Sequence, residues 1–156
     1  MLTEGRPVPT FVLPNQNGDS VDITTFRGRN VVVYFYPRAD TPGCTQQACG
    51  LRDVAAELGD TAVLGVSPDK VPALAKFGTK YELNFDLLSD PDHAVAEAFG
   101  VWKEKKNYGK VYMGIERSAF LIGADGLVRK AWYKISPKDT PVKLLEALGI
   151  VTGRAS

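Results

Sequence analysis

The chain has 156 residues, 44% of them hydrophobic and 24% charged, which suits one soluble domain with a sizeable core. Its formal net charge of +1 offers no broad positive field, arguing against nucleic acid or an acidic membrane surface as a partner and for a small neutral substrate. Two cysteines are too few for a disulfide scaffold, no apolar run approaches the ~18 residues that span a bilayer, and the first five residues lack the basic and apolar regions of a secretory signal. A cytoplasmic chain with reduced thiols is expected.

In chain order, Phe11–Leu13 and Ser20–Ile23 flank a segment containing Asn17-Gly18, a turn signal, so the chain opens on a β-hairpin. Val31-Val32-Val33-Tyr34-Phe35-Tyr36 is an unbroken β-branched and aromatic run, the pattern of a strand buried on both faces. Pro37, Pro42 and Gly43 stop it, and a helix is expected from Thr45 onward with Leu51, Val54, Ala55 and Leu58 at helical spacing. Thr61–Ser67 is the next buried strand. Lys70–Tyr81 follows as a helix with Val71, Leu74, Ala75 and Phe77 on its apolar face, giving a βαβα order that calls for a mainly parallel sheet.

Phe85–Leu88 reads as a short strand, and Ser89-Asp90-Pro91-Asp92 as a helix start with proline at an early position, leading His93 to Phe99. His93 is the only histidine; it reads as solvated or capping, and it lacks the partners that a Cys–His or metal site requires. Lys103–Lys110 is basic and loop-like, a solvated face or, alternatively, a docking point for an acidic reductant. Ser118–Ile122 and Leu127–Tyr133, joined through Gly123-Ala124-Asp125-Gly126, form a hairpin at the far side of the sheet. Thr140-Pro141 begins the closing helix, with Val142, Leu144, Leu145 and Leu148 apolar and Gly149 as its stop.

The chemistry concentrates between the first buried strand and its helix, where α/β folds set their sites. Cys44 falls at a helix N-terminus, where unpaired N–H groups and the macrodipole favour negative charge. Thiols so placed can have pKa values of about 3.5–7.5 against about 8.5 when free, and the thiolate is the nucleophile. The competing reading is a small buried apolar residue.

Pro37, Thr41 and Cys44 stand in the pattern Pro-x-x-x-Thr-x-x-Cys, within the longer Tyr34-Phe35-Tyr36-Pro37 and Thr41-Pro42-Gly43-Cys44-Thr45. This stretch closely resembles the peroxiredoxin active-site loop, and within that family the bacterioferritin comigratory protein or PrxQ branch, which carries a second cysteine five positions on, here Cys49. The segment leading through Tyr112 to Arg117 resembles the same branch. The resemblance implies an α/β thioredoxin-like fold of the peroxiredoxin type over residues 1–156, with a central mixed sheet flanked by helices. It also implies a thiol peroxidase for hydrogen peroxide and alkyl hydroperoxides, in which Cys44 attacks the O–O bond and Cys49 resolves the sulfenic acid to a disulfide, escaping over-oxidation. Thioredoxin or a similar dithiol protein would restore both cysteines. No metal, haem or flavin is implied, and a monomer is expected. A general thiol–disulfide oxidoreductase fits less well, since that class spaces its cysteines by two residues; a redox sensor or holdase is the non-enzymatic alternative.

The resemblance also places Arg117 beside the reactive cysteine, where a fixed cation stabilises thiolate and its donors can hold peroxide oxygens; the competing reading is an ion pair with Glu116. Thr41 would bridge thiolate and peroxide through its hydroxyl, while Pro37 and Pro42 shape and dry the pocket. Two positions depart from the branch pattern. Gln47 stands where Glu is common, keeping an acceptor but losing a charge, so a pairing with arginine is expected to be weaker. Gly123 stands where Asp is common and should affect local geometry. If Cys44 and Cys49 share one intact helix, their Cα atoms lie roughly 8.7 Å apart, too far for a disulfide at about 4.4–6.8 Å, so local unwinding is expected during turnover.

Overall fold

The computed structural model describes residues 1–149; residues 150–156 of the expected domain lie outside them. The run of β-branched and aromatic residues forms β3 (Val31–Phe35), every residue of which is buried. Its side chains alternate between two cores: Val31, Val33 and Phe35 join one, Val32 and Tyr34 the other. A strand apolar at every position can be satisfied only between two covered faces.

Around β3 the sheet is mixed. β4 (Ala62–Ser67) pairs parallel to it, β5 (Asp86–Ser89) pairs parallel to β4, and β8 (Ser118–Ile122) and β9 (Val128–Trp132) add antiparallel on the other side. The order is β5-β4-β3-β8-β9, the thioredoxin-like arrangement. The opening hairpin is present as β1 (Val12–Pro14) and β2 (Ser20–Asp22).

The first helix differs from expectation at both ends. α1 (Pro42–Asp53) begins three residues earlier than Thr45, with Thr41 at its N-cap and Pro42 in the first turn, a place where proline's missing N–H costs nothing. It breaks at Val54, whose ψ of 9° leaves the helical range, before a short α2 (Ala55–Leu58). The apolar spacing runs on across the break, so pattern alone hides it. α3 (Val71–Lys80) matches the expected helix, with Leu74 and Phe77 fully covered.

α4 (Ala94–Ala98) is shorter than expected, and Pro91 lies ahead of it rather than inside. The reason is Asp90, whose carboxylate accepts from Val95 N at 3.2 Å and Ala96 N at 2.9 Å and so replaces the missing turn. His93 takes the N-cap in a left-handed conformation, φ 52°, and stacks on Trp102 with ring centroids 3.9 Å apart.

Lys103–Lys110 is not a loop. It lies in a two-stranded hairpin, β6 (Trp102–Asn107) and β7 (Lys110–Ile115), closed by Tyr108 and Gly109 with φ of 52° and 78°. Positive φ at both central residues is the turn that matches strand twist; the charge run masked the strands. α5 (Asp139–Ala147) buries Leu144 and Leu145, but Val142 is 53% exposed, so it does not belong to the apolar face. Helices α1, α3 and α5 supply one core, while α4 and residues of both hairpins supply the other.

Candidate active site

Cys44 lies in the first turn of α1, its residue buried to 1% exposure. The preceding loop is pinned from outside. Ala39 N donates to Asp69 Oδ2 at 2.7 Å, and Ser67 Oγ donates to the same oxygen at 2.8 Å. Asp40, at φ 58°, accepts from the Tyr81 hydroxyl at 2.7 Å and from Lys80 Nζ at 3.0 Å, and these donors hold its carboxyl below the usual carboxylate range. Asp is among the few residues that adopt the left-handed region readily, so this loop conformation follows from its sequence.

Arg117 enters between β7 and β8. Its Nη2 donates to Cys44 Sγ at 3.4 Å and its Nη1 to Gln47 Oε1 at 2.8 Å. Gln47, expected to pair with an arginine more weakly than the usual glutamate would, does pair with this one, and the guanidinium faces the sulfur rather than Glu116. The approach runs close over Gly43, where a Cβ would stand a tight 3.2 Å from Arg117 Nη2. The chain of donors continues: Gln47 Nε2 donates to Thr140 Oγ1 at 2.8 Å, and Thr140 Oγ1 donates to Ser136 O at 2.9 Å. Gln47 and Thr140 are both buried.

Thr41 stands beside Cys44 in sequence as the N-cap, but its hydroxyl proton goes to Arg38 O at 2.8 Å, so in this conformation the hydroxyl offers the sulfur no proton. Pro37 is half-buried where β3 runs into the loop. Cys49 is also on α1, partly buried, and both cysteines are free. Five helical residues put their Cα atoms roughly 8.7 Å apart, beyond disulfide reach. Gly123 opens the β8–β9 turn, where a Cβ would meet Asp125 Oδ1 and Arg129 Cδ, each at 2.9 Å.

A cleft of about 380 Å³ opens beside Arg117, walled by Lys105, Glu116, Lys134 and Ile135. Burial, and then the neighbouring Arg117, push the Lys105 ammonium down from its ordinary value. Under the site, the Tyr34 and Tyr36 hydroxyls are buried without a hydrogen-bond partner, and burial raises both phenols, keeping them neutral. A larger cleft of about 530 Å³ runs between α2 and β5, but its walls include neither cysteine nor Arg117. Sequence reasoning missed Lys105 and Thr140. No sequence signal joins Gln47 to Thr140; in the structure α5 meets α1 where a Cβ at Gly50 would come within 2.9 Å of Pro141.

A thioredoxin-like sheet, a buried cysteine in the first turn of a helix, and an arginine on its sulfur make an arrangement suited to thiol chemistry. The model of the AhpC/TSA family matches residues 5–131. A putative peroxiredoxin Bcp of Haemophilus influenzae is 50% identical over 149 residues, covering 94% of this chain and 96% of the relative. Peroxiredoxin Bcp of Escherichia coli K12 is 55% identical over 129 residues, 81% and 83% of the two chains. Among solved structures, the bacterioferritin comigratory protein of Xanthomonas campestris, studied for alkyl peroxide reduction, superposes with a TM-score of 0.86 at 34% identity, covering 94% of this chain and 98% of that one. The chain belongs to the AhpC/TSA family, and within it to the Bcp-type peroxiredoxins.

Proposed function

We propose that the chain reduces hydrogen peroxide and alkyl hydroperoxides at Cys44 and resolves the product through Cys49. The Cys44 thiolate attacks one peroxide oxygen, forming an S–O bond as the O–O bond breaks. The leaving oxygen takes up from solvent a proton equal to the one Cys44 gave up on ionising and departs as water or an alcohol, and the sulfur is left as a sulfenic acid. Cys49 sulfur then attacks Cys44 sulfur, an S–S bond forms, and the hydroxyl departs as water. A thioredoxin-like dithiol protein reduces this disulfide by exchange. The observation that carries the reading is the 3.4 Å contact from Arg117 Nη2 to a buried cysteine sulfur at a helix start, which sets a fixed positive charge where negative charge moves from sulfur to oxygen.

Thr41 holds the N-cap position of α1 with its hydroxyl tied back to Arg38 O and Pro37 shapes the loop, so both act on the position of the sulfur. A single chain holds both cysteines and Arg117, which supports a monomer as the catalytic unit. Its reliance on a reducible disulfide suits the cytoplasm, where dithiol reductants operate. Among the described residues no helix is long and apolar enough to cross a membrane.

A peroxide-consumption assay with thioredoxin, thioredoxin reductase and NADPH tests the cycle. Cys44→Ser is expected to abolish turnover, and Cys49→Ser to permit one stoichiometric attack without a sustained cycle. Single-turnover attack by Cys44→Ser at the wild-type rate would overturn the assignment.

A further inference from the structure

Arg117, Gln47 and Thr140 form a hydrogen-bonded line whose direction is fixed by chemistry. A guanidinium only donates, so Gln47 must turn its oxygen to Arg117, which places its NH₂ against Thr140 Oγ1 at 2.8 Å. Thr140 must therefore accept, and its own proton goes to Ser136 O at 2.9 Å. Each group has one available role, and Gln47 and Thr140 are 0% and 1% exposed. Water does not compete at such depth, and buried networks that are fully satisfied hold their members in one arrangement.

We propose that Gln47 and Thr140 are positioning residues for peroxide attack: Thr140, in the first turn of α5, holds Gln47 of α1, and the pair braces the Arg117 guanidinium against Cys44 while the neutral Gln47 leaves its charge undivided for the sulfur. The proposal rests on the reading of Cys44 as the attacking thiol. Two close approaches support the brace independently. Gly43 lets Arg117 pass over α1 at 3.2 Å from its would-be Cβ, and Gly50 lets Pro141 seat α5 against the same face at 2.9 Å. A carboxylate at position 47 would share the guanidinium charge and demand a proton from Thr140, taking it away from Ser136 O. The brace also touches α1 between the two cysteines, so unwinding the helix toward a disulfide withdraws Gln47 from Arg117 after attack is complete.

Single-turnover peroxide attack, followed by stopped-flow tryptophan fluorescence with thiol loss confirmed by mass, tests this in the full chain. Thr140→Val is expected to lower the second-order attack constant by about tenfold, within the range that small misplacement of a reacting geometry produces. Thr140→Ser, which keeps the hydroxyl, is expected to restore it. Gln47→Glu is expected to move the pH at which the attack rate reaches its plateau upward, against an otherwise constant setting of Arg117, Lys105 from β6, the neutral Tyr34 from β3 and the neutral Tyr36 just after it. A wild-type constant in Thr140→Val, or equal slowing in Thr140→Val and Thr140→Ser that tracks melting temperature, overturns the brace. An unmoved pH profile in Gln47→Glu overturns the undivided charge. Attack persisting in Cys44→Ser would instead overturn the reading beneath the proposal.

Discussion

Helices α1 and α3 each follow a buried parallel strand and lie on the same side of the sheet, yet different forces hold them there. α3 seats Leu74 and Phe77, each almost wholly covered, with the Phe77 ring 6.1 Å from Tyr36 and 5.6 Å from Tyr81. α1 seats Cys44, Gln47, Ala48 and Leu51, and of these only Leu51 is a large apolar side chain. A fully buried Leu or Phe contributes about 1.5–3 kcal/mol, against a net of about 0.5–1.5 kcal/mol for an ordinary hydrogen bond. The N-terminal half of α1 is thus held by directional polar contacts, and Gly43 and Gly50 add little intrinsic helix preference. A helix fixed this way keeps its geometry while intact and is released when a few bonds are lost, as a resolving step across five residues requires.

The largest expected effect comes from breaking the apolar side of this contrast. Phe77→Ala should lower unfolding stability by about 3–5 kcal/mol, the usual range for removing a buried aromatic ring, measured by urea denaturation. It should leave the peroxide-attack constant of the remaining folded protein near wild type. A large loss of attack with little loss of stability would reverse the division of labour.

Arg117→Ala cuts the polar side. Attack should slow by as much as about 10²–10³-fold, the effect of removing one preorganised donor from a site of developing charge, while stability changes much less than in Phe77→Ala. An unchanged attack rate would reduce Arg117 to a structural role.

The next effect concerns motion. Once Cys44 and Cys49 are joined, the first turns of α1 cannot keep helical geometry, so amides from Gly43 to Asp53 should exchange faster in peroxide-oxidised protein than in reduced protein. Amides of Val71–Lys80 in α3 should keep their protection in both states, since stability is distributed unevenly and opening follows the least stable segment. Equal protection of α1 in both states, with the Cys44–Cys49 bond confirmed by mass, would sink the idea.

What the sequence made legible follows the same line. β3, α3 and β8 could be read because burial dictates their composition: long apolar runs or a clear helical face. Cys44 and Arg117 could be paired only through a local motif resemblance, because 73 positions separate them and nothing in the intervening pattern says that they meet. Thr140 was invisible as a site residue for that reason, its partner Gln47 being 93 positions away. The β6–β7 hairpin was hidden by lysines that read as a solvated run, and its turn uses Tyr108 rather than the Asn or Gly that usually signals positive φ. The break at Val54 escaped notice because a kink does not interrupt apolar spacing.

The smallest expected effect lies where the two helices are tied together. Asp40, in the loop before α1, accepts from Tyr81 and Lys80 at the end of α3, and these donors hold its carboxyl below its ordinary value, the Tyr81 hydroxyl first. A carboxyl lowered in the folded state adds stability that is present above its unfolded pKa and lost as pH falls through the folded one. The tie should therefore be whole at neutral pH and fade on acidification below the usual carboxylate range. Because Asp40 and Lys80 are both well exposed, solvent screens the attraction and the contribution is small. Asp40→Asn is the clean probe: asparagine also tolerates the left-handed backbone at φ 58° and can still accept from Tyr81, so only the charge is removed. Thermal melts should show Asp40→Asn slightly below wild type at neutral pH and level with it at acid pH, and added salt should narrow the gap. A gap that keeps its size at acid pH would mean that the charge on Asp40 does not join the loop to α3.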